Sequence, residues 1–175
     1  VYDSQDKYEE ALSSYTKALD IRLKRFGADH SSVATTYNTM ATVYKKQGEY
    51  EEALSSYTKA LDIRLKALGA DHPAVATTYN NMATVYDSQE KNGEALSYCM
   101  KALDIRLKAL GAEHPDVAAT YNTMGSVYRN QGKYEEALSY YNKALDIRLK
   151  RFGAEHPDVA ATYNTIASVY DSQDK

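Results

Sequence analysis

Ala112–Gly153, AEHPDVAATYNTMGSVYRNQGKYEEALSYYNKALDIRLKRFG, is the stretch of sequence that decides the fold. Pro115 and Gly153 bracket two segments in which apolar residues recur at helical spacing. A polar break at residues 130–132 separates the two segments. The stretch therefore predicts two helices joined by a short turn.

The same 42-residue unit recurs along the chain, at residues 28–69, 70–111 and 112–153. A half-unit at 1–27 carries only the second helix, and a half-unit at 154–175 carries only the first. A fixed period of this length is typical of arrays in which helical repeats stack on their neighbours. We therefore predict an all-α solenoid of antiparallel helix pairs with about eight helices, forming a single array over the whole chain.

The two helices of each unit differ in charge. Val117–Tyr128 contains no charged side chain, and the equivalent segments 33–44, 75–86 and 159–170 are also uncharged. The helix that follows, Tyr134–Arg151, carries acidic and basic residues around an apolar stripe. The uncharged helix is predicted to lie in an inner layer of the array, and the charged helix in an outer layer that meets water.

Residues with specific backbone preferences mark the ends of these helices. Glycines at 27, 69, 111 and 153 are expected to end the outer helices in a left-handed conformation. Prolines at 73, 115 and 157 suit the first turn of an inner helix. Histidines at 30, 72, 114 and 156 lie one period apart, so we interpret them as helix-entry residues and not as metal ligands.

The spacing of six residues in each unit resembles the tetratricopeptide repeat; in the third unit they are Tyr121, Met124, Gly125, Tyr128, Ala137 and Tyr141. Small residues such as Gly125 are expected where the two helices approach closely. The unit is longer than the family's usual length of about 34 residues. In its length, and in its HPDVA and YEEAL segments, it is similar to the repeats of kinesin light chains. This resemblance implies a right-handed superhelix that binds extended peptides along its concave inner face.

A polar stripe beside the core stripe of each inner helix is expected to face that groove. Its members are Asn38, Asn80, Asn122 and Asn164; Thr42, Thr84, Ser126 and Ser168; and Lys45, Asp87, Arg129 and Asp171. An asparagine amide offers donors and an acceptor that match a peptide unit, so a row of them is suited to hold an extended backbone. The resemblance to kinesin light chains implies the same role for these asparagines.

Two alternatives remain open for this stripe. The asparagines could instead bond neighbouring helices, and their recurrence could record duplication of the unit. The last four residues alternate in sign along the groove edge, which favours bridges between units over recognition of a charged ligand.

Composition argues against several other functions. A net charge of −3 and a pI near 5.8 disfavour nucleic acid as a partner. The apolar runs are too short to span a membrane, and Val1–Lys7 lacks a secretory signal pattern. Cys99 is the only cysteine, which excludes an internal disulfide and indicates a cytoplasmic location. No glycine-rich phosphate loop or catalytic cluster is evident, so we predict a protein without cofactor or enzymatic activity.

The first and last helices each lack a partner within the chain. Their free apolar faces are complementary, because one belongs to an outer helix and the other to an inner helix. The sequence therefore predicts head-to-tail stacking of molecules, plausible above all in a crystal. The alternative to a peptide-binding scaffold is accordingly a purely architectural repeat segment that self-associates end to end and has no groove ligand.

Overall fold

The computed structural model describes the backbone of residues 2–173 and the side chains of residues 7–173. Within this range the chain forms eight α-helices and no strand. They are α1 (Tyr2–Phe26), α2 (Ser31–Gln47), α3 (Tyr50–Leu68), α4 (Pro73–Ser88), α5 (Asn92–Leu110), α6 (Pro115–Asn130), α7 (Tyr134–Phe152) and α8 (Pro157–Gln173). None of these helices combines the length and the low charge that a membrane span requires.

The helices form two layers, with α2, α4, α6 and α8 inside and α1, α3, α5 and α7 outside. The inner helices α2, α4 and α6 each pack against the outer helix that follows and against the one that precedes, and α8 packs against α7. The inner helices α2 and α4 also contact each other, as do α4 and α6. Consecutive outer helices have no comparable contact in the described chain, so the array curves with its inner layer on the concave side. The predicted all-α solenoid of helix pairs is confirmed.

The core is a chain of small clusters that continue from one unit to the next. One cluster, for example, joins Ala41 of α2, Ala53 and Tyr57 of α3, and Met82 and Val85 of α4. Because each cluster draws on three helices, no unit buries its apolar residues alone.

The predicted close approach at Gly125 is confirmed by the geometry around it. A Cβ atom added to Gly125 would lie 2.7 Å from the ring of Tyr141 on α7. Glycine therefore lets α6 and α7 pack closely at this level of the array.

Histidine side chains begin the inner helices, as expected from their spacing. His72 Nδ1 accepts a hydrogen bond from the backbone N–H of Ala74 at 3.1 Å, and His114 Nδ1 accepts one from Asp116 at 3.1 Å. The same bond forms at His30 and His156. Each bond satisfies one of the free N–H groups in the first turn, which is the role of an N-cap.

The glycines that end the outer helices adopt a conformation different from the predicted one. Gly69 has φ 84° and ψ 166°, and Gly111 has φ 83° and ψ 162°. The positive φ was expected, but the ψ angle is extended and not left-handed helical. The reason is that the chain must leave the helix at once to reach the histidine that begins the next one. Only glycine adopts this region of φ and ψ readily.

The start of the chain also differs from the prediction. Residues 1–7 are identical to 169–175, the end of an inner helix, so a helix boundary is expected near Lys7, but α1 continues without interruption from Tyr2 to Phe26. At the equivalent boundary α2 ends at Gln47 and is followed by Gly48, which has φ 82°. Asp6 occupies that position in the first half-unit, but the lack of a glycine is not a sufficient cause, because α4 ends at Ser88 although Glu90 occupies the equivalent position there.

Candidate peptide-binding groove

The four stripe asparagines lie at equivalent positions on the four inner helices. Asn38, Asn80 and Asn122 are half-buried, and Asn164 on α8 is exposed. The contacts between α2, α4 and α6 bring the first three of these helices together on the concave side.

Asn38 is engaged by two neighbouring elements. Its Oδ1 accepts a hydrogen bond from Nδ2 of Asn81 on α4 at 3.3 Å. The same oxygen accepts a longer bond, of 3.4 Å, from Nη1 of Arg64 on α3. Asn38 therefore links its own inner helix to the next inner helix and to the outer layer.

Asn80 makes the equivalent link one unit further on. Its Nδ2 donates to Oγ1 of Thr123 on α6 at 3.4 Å, and Thr123 occupies the position that Asn81 holds in the preceding unit. The Oδ1 of Asn80 is buried and accepts no hydrogen bond from the described residues. Asn38 and Asn80 thus bond neighbouring helices, whereas none of the hydrogen bonds between described residues involves the Asn122 amide.

The hydroxyl residues of the stripe bond to their surroundings within the array. Thr42 Oγ1 lies 3.0 Å from the Tyr57 hydroxyl, and Ser126 Oγ donates to a carboxylate oxygen of Asp87 at 3.1 Å. Thr84 and Ser168 donate to backbone carbonyls of their own helices. These four side chains are thus oriented by contacts within the chain.

Two of the four charged residues at the groove edge, Asp87 and Arg129, connect one unit to the next. Asp87 on α4 accepts hydrogen bonds from Ser126 and from Asn130 of α6, the latter at 2.9 Å. Arg129 on α6 donates to Ser168 of α8 at 3.2 Å. Burial lowers the pKa of Lys45, and the charge of Asp87 opposes that shift only in part. Asp171, near the end of α8, is exposed.

Arginines of the outer layer, which the sequence analysis missed, reach into the space between consecutive inner helices. Nη1 of Arg64 donates to Oγ1 of Thr78 at 2.6 Å, and Nη1 of Arg106 donates to Oγ1 of Thr120 at 2.7 Å. The two arginines also donate to a backbone carbonyl in the first turn of the next inner helix. Arg22 and Arg148 bond to Thr36 and Thr162 in the same way.

These arginines correct the expectation that the charged residues of the outer helices meet water. Arg106 is only 4% exposed, and Arg148, one of the charged residues of the predicted outer helix Tyr134–Arg151, is half-buried. Burial lowers the pKa of Arg106, while the nearby Asp116 partly restores it. The sequence did carry a signal: every unit has an arginine between isoleucine and leucine, and a threonine in the following inner helix.

The described residues offer little to catalysis. Cys99 is fully buried on α5, and that burial raises the pKa of its thiol to about 12. The thiol is therefore protonated at neutral pH and is a poor nucleophile. No group of histidine, cysteine and acidic side chains between residues 7 and 173 is arranged to hold a metal ion.

Comparison with known families agrees with this architecture. The family model described as tetratricopeptide repeat matches residues 1–66, 32–108, 88–150 and 116–175, which together span the chain. The chain belongs to the tetratricopeptide repeat family. Repeats of this family typically mediate protein–protein interactions. A search of curated proteins found no significant match.

Several solved structures share the fold. BtubC (BKLC) from P. vanneervenii is 25% identical, with a TM-score of 0.80 over 98% of this chain and 68% of that one. A putative kinesin light chain from Podosopora anserina with nearly identical repeats is 23% identical, with a TM-score of 0.73 over 98% of this chain and 82% of that one. The first tetratricopeptide repeat domain of Spaghetti (RPAP3), solved with an HSP90 peptide, is 22% identical, with a TM-score of 0.56 over 83% of this chain and 97% of that one. The resemblance to kinesin light chain repeats is thus confirmed at the level of the fold.

Proposed function

We propose that the chain is a non-enzymatic scaffold that binds an extended segment of a partner protein along its concave face. The observation that carries the proposal is the row of asparagines on the inner helices, in which the Asn122 amide is half-buried and not engaged by the array. The typical interaction role of the family, and the peptide held by the Spaghetti domain, support this function. The low charge of the inner helices and the single buried thiol fit a protein partner in the cytoplasm.

The spacing of the row suits an extended chain. Packed helices lie about 8–10 Å apart, and an extended strand rises about 3.3 Å per residue. One asparagine would therefore meet about every third residue of the ligand. A ladder of this kind binds the backbone and leaves sequence preference to neighbouring side chains such as Lys45 and Arg129.

Two asparagines allow the proposed role to be separated from a purely structural one. Asn80 donates to Thr123, so Asn80→Ala should lower the free energy of unfolding by about 0.5–1.5 kcal/mol. Asn122 bonds to no described residue, so Asn122→Ala should leave the melting temperature within about a degree of the starting protein. A scaffold that uses the asparagine row should nevertheless lose affinity in the Asn122 variant.

The experiment selects ligands from a displayed library of random dodecapeptides on the unchanged protein, and then measures their binding to the Asn122→Ala variant. We expect enriched peptides whose binding weakens about tenfold or more, the cost of a lost hydrogen-bond pair in a groove. Enriched peptides that bind the variant as tightly as the original would contradict the use of this row.

Exposed apolar residues on α8 support a second candidate, end-to-end self-association. Tyr163 and Tyr170 are 52% and 54% exposed, whereas the equivalent Tyr121 and Tyr128 are half-buried against Tyr140 of α7. We infer that the α8 face accepts the outer helix α1 of another molecule, as α6 accepts α7, in an architectural array.

Light scattering over a range of protein concentrations tests this contact. We expect the mean mass to rise with concentration in the unchanged protein and to remain monomeric after Tyr170→Lys, which places a charge on the contact face. A monomer at millimolar concentration would exclude stacking in solution and leave the peptide-binding proposal untouched.

A further inference from the structure

A tyrosine on the outer helix of the second unit fills a slot formed by its neighbours. The ring of Tyr98 stacks on Tyr86 of α4, with centroids 5.2 Å apart and planes inclined by 18°. Lys101 Nζ lies 4.8 Å from the centroid of the Tyr98 ring and 5.6 Å from that of Tyr79. The ring is therefore held by aromatic stacking on one side and by a cation–π contact on another.

The third unit repeats this arrangement with the same geometry. Tyr140 stacks on Tyr128 with centroids 5.3 Å apart and planes inclined by 6°. Lys143 Nζ lies 4.7 Å from the Tyr140 ring and 5.7 Å from the Tyr121 ring. The slot is thus a reproducible site for one phenol ring.

The first unit contains the slot but lacks the ring. Tyr37, Tyr44 and Lys59 occupy the positions of the other slot residues, and Lys59 Nζ lies 5.4 Å from the Tyr37 ring. Ser56 stands where Tyr98 and Tyr140 stand, and it is only 8% exposed.

The space that the missing ring would occupy is open. A notch of about 370 Å³ lies there, lined by Tyr44, Glu51, Glu52, Ser55, Ser56 and Lys59. The notch is built by α2 and α3, and none of the groove asparagines lines it.

The tyrosine hydroxyls in the filled slots indicate which kind of aromatic ring fits the open slot. Burial and the adjacent Tyr98 raise the pKa of Tyr86. Burial and the neighbouring Tyr128 act on Tyr140 in the same way. Tyr44 offers the corresponding hydroxyl in the open slot, so a phenol is favoured over a ring without a hydroxyl.

The edge of the open slot is more acidic than the edges of the filled ones. Glu49, Glu51 and Glu52 begin this outer helix, whereas the third unit has Lys133 in place of Glu49. Lys133 Nζ lies 5.9 Å from the ring of Tyr128, so this position is close to the slot. A ligand with basic residues beside its ring therefore matches the charge of the open slot better than an acidic one.

We propose that the Ser56 notch binds the side chain of a tyrosine from a basic segment of a partner protein. The partner ring stacks on Tyr44 beneath Lys59, as Tyr98 and Tyr140 stack within their own units. The site lies outside the asparagine row, so the scaffold would engage partners at two separate places.

The test uses p-cresol and the peptide acetyl-Lys-Tyr-Lys-amide as probes, with amide chemical shifts in the intact chain as the readout. We expect saturable shifts around Ser56 and Lys59 for both probes. Three control compounds should each bind about tenfold more weakly. Toluene lacks the hydroxyl and so loses a hydrogen bond, and acetyl-Lys-Leu-Lys-amide lacks the ring contact. In acetyl-Glu-Tyr-Glu-amide the favourable surface charge contacts are lost.

Two matched variants use the repeats as internal controls. Ser56→Tyr supplies the ring from within the chain and should abolish the shifts, while Tyr140→Ser opens a second slot and should add a second set near Lys143. If the Tyr140 variant does not fold, the Ser56 variant alone decides the matter. Shifts that persist in Ser56→Tyr, or no shifts with either probe, would overturn the proposal. A dimer of the unchanged protein that Ser56→Tyr converts to monomer would also overturn it, by showing that a second copy fills the notch.

Discussion

At the scale of single residues, Arg106 shows how the array uses a charge in its interior. Its guanidinium is buried and donates to Thr120 and to the carbonyl of Asp116, and also, at 3.4 Å, to Thr77 of α4. Arg22 on α1 makes the same two kinds of bond, to Thr36 and Ser32, but is only half-buried. The pair therefore offers the same interaction at two levels of burial.

We expect Arg106→Ala to lower the free energy of unfolding by about 2–4 kcal/mol, because it removes three hydrogen bonds and leaves a cavity. Arg22→Ala should cost less, about 1 kcal/mol, since water can replace the lost bonds at a half-buried site. Urea denaturation measures both losses. Equal losses would indicate that burial contributes nothing to these contacts.

Glu90 is a second residue at which the copies differ in a measurable way. It has φ 60°, whereas the equivalent Gly48 and Gly132 have φ 82° and 72°. A positive φ costs a residue with a side chain about 1–2 kcal/mol. Glu90→Gly should therefore stabilise the protein by about 1 kcal/mol, although the greater freedom of glycine in the unfolded chain offsets part of the gain.

The reverse substitution in the next unit is the control for this prediction. Gly132→Ala places a side chain at φ 72°, in space that is otherwise open. We expect a loss of about 1 kcal/mol there, and thermal melting of both variants gives the comparison. A lower melting temperature for Glu90→Gly would mean that the Glu90 side chain contributes contacts that outweigh its backbone conformation.

The groove residues show what the sequence could and could not predict at this scale. Repetition identified Asn38 and Asn80 as members of a row, because one helix period places them on one face. It did not predict that Asn38 bonds to Asn81, since this bond depends on the offset between two helices. It also misplaced Arg148, because a charged residue in a mostly charged helix gives no indication that its long side chain extends inward.

At the scale of helices, the two layers begin in different ways. The inner helices α2, α4 and α6 each start with a histidine cap, whereas the outer helices α3, α5 and α7 start at Glu49, Lys91 and Lys133 without a side-chain cap. His30 and His156 also stack on phenylalanines, with ring centroids 4.5 and 4.3 Å apart. Before His72 and His114 the positions of these phenylalanines are held by leucines, Leu68 and Leu110.

We expect His72→Ala to lower the free energy of unfolding by about 1 kcal/mol, because Ala74 loses its acceptor and the first turn of α4 loses its cap. His72→Asn keeps a capping side chain and should retain most of the stability. The measurement is chemical denaturation of the two variants beside the parent. Equal losses in both would show that the imidazole packs at this site and does not act mainly as a cap.

The existence and order of the helices could be predicted from the sequence, because the helix-start and helix-end signals recur in each unit. The first-turn Pro115 and the terminal Gly111 and Gly153 mark the same boundaries that the structure shows. The ψ angles of those glycines could not be predicted, because a helix-end pattern does not specify the direction in which the chain leaves the helix. The continuous α1 could not be predicted in this way, because α4 ends at Ser88 although Glu90, like Asp6, stands in the place of Gly48.

At the scale of the whole molecule, the array is held together by similar contacts between neighbouring units. Deletion of residues 70–111 removes one complete unit and joins Gly69 to Ala112, which recreates the existing junction of Gly111 with Ala112. We expect the shortened chain to fold with the same helical fraction per residue and a lower melting temperature, because one set of interfaces is lost.

Deletion of residues 70–90 is the matched control, because it removes one inner helix and places two outer helices in succession. Circular dichroism during heating should show a cooperative transition for the first deletion and a broad, weak one for the second. A shortened chain that fails to fold after removal of a whole unit would show that the differences between copies, such as Asp87 with its two bonds to α6, specify the neighbours.

The joints between units are alike in every copy, with φ of 83°, 84°, 83° and 81° at Gly27, Gly69, Gly111 and Gly153. A gene that encodes such a chain can recombine with itself out of register and still encode only joints that already fold. The encoded proteins differ in the number of units, and none contains a new junction that further mutation would have to correct. The length of this protein is therefore a heritable quantity that evolution can change in whole steps, while the shape of each step stays constant.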